Sequence, residues 1–221
     1  MNRRSTLTRP FTTKSTMAST VGAFLERYFP AARTYEQRSA SVNQLTAEER
    51  WLKKYYFARV AFSALWVETL LTNGLTYAPV SAVLLVVYPL WDAGANLVDA
   101  QRSGGLAHNN SQVINFLVSL AATGLAVPAV AMGTHWVFGV YGAWAIVTGI
   151  LQLRSAGRRL ETVRAQWIQM ASGAQSSLAG IFFILQAIGS MELSVKYIAG
   201  YAAFGAFYFL FSAMYLTVEE L

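Results

Sequence analysis

The sequence predicts an all-α membrane protein: six transmembrane helices used as three parallel two-helix hairpin repeats, with the N- and C-termini both cytoplasmic. Three observations predict it. Apolar residues make up 55% of the 221 and charged residues only 13%, at a mean hydropathy of +0.38, which is more apolar surface than a soluble domain of this size can bury. Six segments, at 55–73, 78–99, 112–132, 135–153, 168–189 and 194–216, can each cross roughly 30 Å of hydrocarbon at about 1.5 Å per residue. The connections also alternate in charge. Asn73–Tyr77, Gly133–Thr134 and Ser190–Leu193 hold no Lys or Arg, whereas the opposite ends carry Arg102, Arg154, Arg158, Arg159 and Arg164, with Arg50, Lys53 and Lys54 beside the first span. Basic loops stay on the cytoplasmic side.

Taken in order, the chain divides at 1–46, a basic, Ser/Thr-rich cytoplasmic extension with a short amphipathic helix, and 47–221, the six-helix domain. Residues 1–16 are Arg- and Thr-rich, without acids or an apolar core, so they do not read as a secretory signal peptide. A disordered tail, a transit-like presequence and an extension from a misassigned start codon all fit that composition. From Thr20, the residues Val21, Phe24, Leu25, Tyr28 and Phe29 recur with helical spacing up to Pro30, which predicts a short helix ended by the proline. Thr46 and Glu49 then have the spacing of a capping box, which predicts a helix starting near Ala47 and running into the first span.

The stretch from Val140 to Arg159 shows the repeating unit most clearly: an apolar helix that opens with a Tyr and a second aromatic three residues on, and ends in arginines. Tyr88 to Trp91, Tyr141 to Trp144 and Tyr201 to Phe204 put the second helices of the three hairpins in register at offsets of 53 and 60. Successive hairpins keep one orientation, unlike the inverted repeats of many carriers. Small residues on one stripe permit close helix contact in lipid. Gly142 and Gly149 form such a stripe, and so do Ser172, Ser176 and Gly180.

The helix Tyr141-Gly-Ala-Trp-Ala-Ile-Val-Thr-Gly-Ile-Leu-Gln-Leu153, with Ser177 to Gln186 and Ala199 to Tyr208, resembles the HdeD-like family, domain of unknown function 308, from about residue 55 onward. The resemblance implies a small six-helix protein of the bacterial cytoplasmic (inner) membrane with a part in acid or envelope stress tolerance. It carries no catalytic residues over. The basic N-terminal extension and the charged second helix with Asp92 and Asp99 depart from the family pattern.

The chemistry-bearing residues are few. With no cysteine there is no disulfide framework or thiolate site. No nucleophile elbow, phosphate-cradling loop or His-Glu-x-x-His motif occurs, and His108 and His135 fall at opposite ends of the bundle. An enzyme, a metal site and a cofactor are therefore not expected. The net charge of +6 is concentrated in the first fifty residues and one loop, which points to membrane topology and away from nucleic acid. The Asn109-Asn110-Ser111 sequon falls on the cytoplasmic side, as a polar loop. Costly polar groups remain within the spans: Arg59, Glu68, Asp92, Asn96, Asp99, Asn115, Gln152 and Gln186, which should face the bundle interior and find partners. Asp92, Asn96 and Asp99 share one helix face. Arg59 and Asp92 stand equally far from the first turn, so they should pair. Glu68 has only Lys196 near its level. Two function classes stay open: a non-enzymatic protein that assembles in the bilayer with itself or with a membrane partner, and a small transporter or proton pathway on the Asp92/Asn96/Asp99 face.

Overall fold

The computed structural model describes residues 30–102, 105, 110–159, 166–189 and 193–218, with side chains from Ala47 onward except those of Arg158 and Arg159. Contacts divide the chain into two units, Met1–Thr46 and Ala47–Leu221. Of the first, residues 30–46 are described and are helical throughout. Among the described residues there is no strand. The helices are α1 (Pro30–Thr69), α2 (Ala78–Arg102), α3 (Asn110–Met132), α4 (Thr134–Arg159), α5 (Gln166–Ile188) and α6 (Lys196–Val218), and a π-helical turn at Leu70–Gly74 follows α1.

The first helix corrects one expectation. Thr46 and Glu49 lie inside α1 and do not open a helix, because residues 31–69 hold neither Gly nor Pro and nothing interrupts the ladder before them. Pro30 starts that helix, where a missing N–H is no loss. The amphipathic helix expected before it falls outside the described residues. Among the described residues, five helices, α2 to α6, are long and apolar enough to cross a membrane. The segment 55–73, shared between α1 and the π-helical turn, is not among them, since Arg59 and Glu68 lower its mean hydropathy.

Polarity is distributed inside out. Asp92, Asn96, Asp99, Gln112, Asn115, Gln166 and Gln169 are buried, while Leu65, Val83, Leu117, Leu125, Leu178, Ile181 and Phe207 are exposed. Such a distribution suits a solvent of hydrocarbon. One half of the bundle is closed by a core of Trp66, Leu85, Phe138, Tyr141, Trp144, Phe183 and Ile198. Its rings meet edge-on, Tyr141 with Trp144 at 5.5 Å and Phe138 with Phe183 at 5.2 Å.

Two local devices hold the helices at these distances. Pro89 lies inside α2 and has no N–H to offer the carbonyl four residues back. That carbonyl, of Leu85, accepts instead from the Tyr141 hydroxyl at 2.7 Å, and the neighbouring Leu84 carbonyl accepts from Trp66 Nε1 at 2.8 Å. The second device is a seam of glycines between α4 and α5. A Cβ on Gly180 would lie 2.6 Å from the Gly142 carbonyl, and one on Gly173 would lie 2.8 Å from the Gly149 carbonyl. The backbones are therefore in direct contact there. The turn from α3 to α4 depends on Gly133, whose φ of 115° is open to glycine alone at little cost.

Replacing Gly180 with Leu should cost about 3 kcal/mol or more of bundle stability, read as a lower melting temperature in detergent. An unchanged melting temperature would mean that the seam does not carry the contact between α4 and α5. Tyr141→Phe should cost about 1–3 kcal/mol, because the Leu85 carbonyl then has no donor in a region without water. A Tyr141→Phe protein as stable as the wild type would show that the carbonyl finds another donor.

Candidate functional site: a polar chamber inside the bundle

The half of the bundle opposite the aromatic core is hollow. It has room of about 100 Å³ for the centres of water-sized molecules, where about 10–15 Å³ is enough for one water. Its wall runs from Asp99 and Ser155 down to Tyr88, Trp144 and Tyr201. The two levels are eleven residues apart on α2 and α4, or about 17 Å of helix. The chamber therefore approaches the ends of α2 and α4 that carry Arg102 and Arg154, and the aromatic layer closes it at the other end.

The hairpins contribute to this wall in a common register. Ser63 meets Tyr88 at 3.4 Å, Trp144 Nε1 donates to Ser119 Oγ at 3.0 Å, and Ser176 meets Tyr201 at 2.7 Å; each pair is 25 residues apart. The pairs follow one another by 56 and then 57 residues. At the same offsets, five trios contribute all their members to the wall: Tyr56, Gln112 and Gln169; Arg59, Asn115 and Ser172; Tyr88, Trp144 and Tyr201; Asp92, Thr148 and Gly205; Asn96, Gln152 and Phe209. The register expected from the tyrosines, 53 and 60, is thus corrected. Tyr141 is occupied in bonding the carbonyl that Pro89 leaves free, and Trp144 stands in the place of Tyr88 and Tyr201.

Asp92 is the hub of the network. One carboxylate oxygen pairs with the Arg59 guanidinium. The other accepts from Asn96 Nδ2 at 2.8 Å and from the Ser119 hydroxyl at 2.7 Å. Because a carboxylate and a backbone carbonyl can only accept, the atom of Asn96 that faces the Asp92 oxygens must be its NH₂. Asn96 Oδ1 then accepts from Asn115 Nδ2 at 3.2 Å. Asn115 Oδ1 is left buried with no partner. The amide orientations follow from the carboxylate by bonding logic. Arg59 also donates to the Tyr55 hydroxyl at 2.9 Å, and its guanidinium lies 4.5 Å from the centre of the Phe209 ring. Asp99 accepts from Gln112. Nearer the Ser155 level, Gln152 Nε2 donates to Gln169 Oε1 and Gln169 Nε2 to Ser212, each at 2.8 Å.

Most of the sequence candidates gather here. Arg59, Asp92, Asn96, Asp99, Asn115, Gln152, Ser172 and Ser176 line the chamber, and the pairing of Arg59 with Asp92 is present. Asp99 bonds to Gln112. Gly142, Gly149 and Gly180 lie in the seam between α4 and α5. Two residues are elsewhere. Glu68 is exposed and does not face the interior; it stands six residues before the end of the π-helical turn, about 9 Å of helix, where the interface is within reach. Gln186 is half-buried outside the chamber. His135 is exposed, with Nδ1 3.0 Å from the Ala187 carbonyl; His108 and Asn109 fall outside the described residues. Sequence reasoning missed Gln112, Thr148, Gln166, Gln169 and Gly205. The signal that finds Gln112, Thr148, Gln169 and Gly205 is the 25-residue spacing of a Ser and an aromatic in each hairpin; Gln166 belongs to none of the trios. Among the described residues, no three His, Asp or Glu side chains come together as metal ligands.

Comparison with protein-family models, curated proteins and solved structures gave no match. The class rests on the geometry: an all-helical protein with helices apolar enough to span a membrane and a polar chamber among them.

Arg59→Met should cost about 3–5 kcal/mol, because it leaves the Asp92 carboxylate buried without its countercharge. Combining it with Asp92→Asn, which keeps an acceptor for Ser119, should restore most of the loss in thermal melts. A double variant no more stable than Arg59→Met alone would show that the two charges are not coupled.

Proposed function

We propose that this is a non-enzymatic six-span protein of the bacterial cytoplasmic membrane, with both termini cytoplasmic, that admits small polar species from the cytoplasm into the chamber. The Asp92/Asn96/Asp99 face serves as its transport or binding surface. What carries the reading is the confinement of charge to one of three equivalent hairpins. Where the first has Arg59, Asp92 and Asp99, the second has Asn115, Thr148 and Ser155, and the third has Ser172, Gly205 and Ser212. Two hairpins thus do without charge at these positions, so helix packing does not require it. A charge in hydrocarbon costs a few kcal/mol, and one kept where the architecture can dispense with it argues for a role beyond packing.

The arginine-bearing ends of α2 and α4 support a cytoplasmic mouth. The aromatic layer at the floor then acts as a barrier, and passage to the far side would require Tyr88, Trp144 and Tyr201 to part. Within the HdeD-like resemblance, the chamber would act in acid or envelope stress tolerance. Self-association is the weaker reading, because the close-packing glycines are engaged within the chain.

The protein lacks cysteine, so single cysteines map the chamber directly. Ser155→Cys and Ser172→Cys should react with a small impermeant methanethiosulfonate in inside-out vesicles and not in intact cells. Phe183→Cys, in the aromatic half, should react in neither. Labelling of Ser172→Cys from outside the cell, or from neither side, would reject the cytoplasmic opening.

A further inference from the structure

We propose that the chamber has a binding slot at Gly205 and that the slot takes a small uncharged solute of the amide or urea class, an inference that rests on the chamber's role above and names its occupant. The three equivalent positions Asp92, Thr148 and Gly205 all line the chamber. The first two fill their share of it with a side chain. Gly205 has none, and a Cβ built there would meet nothing within 4 Å. The third hairpin therefore leaves open the place that the other two occupy.

Across from this gap stands Ser172, the equivalent of Arg59. It is 5% exposed and lines the chamber, yet its hydroxyl makes no hydrogen bond to any described residue. Its oxygen is not among the fully buried polar atoms left without a partner, so it opens on the chamber, where an occupant can bond to it. In the first hairpin the corresponding positions are joined by the Arg59–Asp92 bridge, in which a planar N–H donor meets an oxygen acceptor. In the third hairpin the bridge is missing, and a planar group with both an N–H and a C=O would complete it. Tyr201 and Phe209, one turn to either side of Gly205 on α6, also line the chamber and give the slot aromatic walls.

Ions of either sign gain little here. Arg59 and Asp92 neutralise each other, so the slot offers neither a cation nor an anion a net countercharge. The neutral carboxamide of Gln175, also in the chamber wall, offers a donor and an acceptor together, the pattern that recognises another amide. A solute of a few heavy atoms binds weakly even with good contacts, so the readout must suit millimolar affinity.

Acetamide, with its isosteres acetate and methylammonium, tests the inference by saturation-transfer difference NMR on the purified full-length protein in detergent. Wild type should transfer saturation to acetamide and to neither ion. Gly205→Leu should abolish the acetamide signal, and Ser172→Ala should weaken binding about fivefold, the worth of one hydrogen bond. Gly205→Thr, which copies Thr148, should also abolish it and serves if the leucine variant does not fold. An acetamide signal that persists in a folded Gly205 variant, or ions that bind as well as acetamide, would overturn the slot. Absence of any acetamide signal from a protein whose Ser172→Cys form is labelled from the cytoplasmic side would overturn the ligand class and leave the chamber standing. Absence of that labelling would remove both.

Discussion

The Asp92 carboxylate ties together more of the bundle than any other group. Through Arg59 it holds α1, through its own turn it fixes Asn96 on α2, and through Ser119 it reaches α3. Ser119 in turn accepts from Trp144 on α4, so the position of one floor ring is set by a charge two helices away. In a medium that cannot hydrogen-bond, a network of this kind must be satisfied almost completely or it destabilises the fold. Among the described residues of this network, Asn115 Oδ1 is the buried atom left without a partner, so the network is nearly complete.

The parts legible in sequence were those governed by helical geometry over short distances. The spacing of Asp92, Asn96 and Asp99 put them on one face, and equal distance from a turn paired Arg59 with Asp92. The helix limits at Ala78, Met132 and Thr134 fall at or beside the apolar boundaries. Local motifs misled where a longer element overrode them. The Thr46/Glu49 box is a good cap, but the residues before it also favour helix, so α1 runs through. Tyr141 resembled Tyr88 and Tyr201 in its neighbours, yet its hydroxyl answers a defect made by Pro89 on another helix, a relation no window of sequence contains. Gln112, Gln166 and Gln169 sit in the first turns of their helices and read as interfacial polar residues, whereas packing turns them inward. Glu68 was misjudged because cost alone does not say whether a charge turns inward or reaches the interface.

Near-threefold repetition and departure from it divide the work. The repeated parts, a Ser bonded to an aromatic in each hairpin, build the chamber and its floor. The departures give it chemistry: an ion pair in the first hairpin, a Thr in the second, a gap beside an unbonded Ser in the third. The contacts between hairpins are unequal as well. α4 and α5 meet backbone to backbone through four glycines, whereas α1 and α6 meet through side chains, with Leu52 and Tyr56 against Phe209, Ala213 and Leu216.

That Arg59 and Asp92 belong to the same hairpin also bears on how the protein is made. Synthesis delivers α1 and α2 first, and the two charges are only 33 residues apart in sequence. They can neutralise each other once α1 and α2 have come together, before any later helix exists to shelter them. The remaining donor, Ser119, arrives with the next hairpin and finds an acceptor already oriented. This charged pair is thus not required to wait for a distant partner, and the helices that follow can dock onto a finished template.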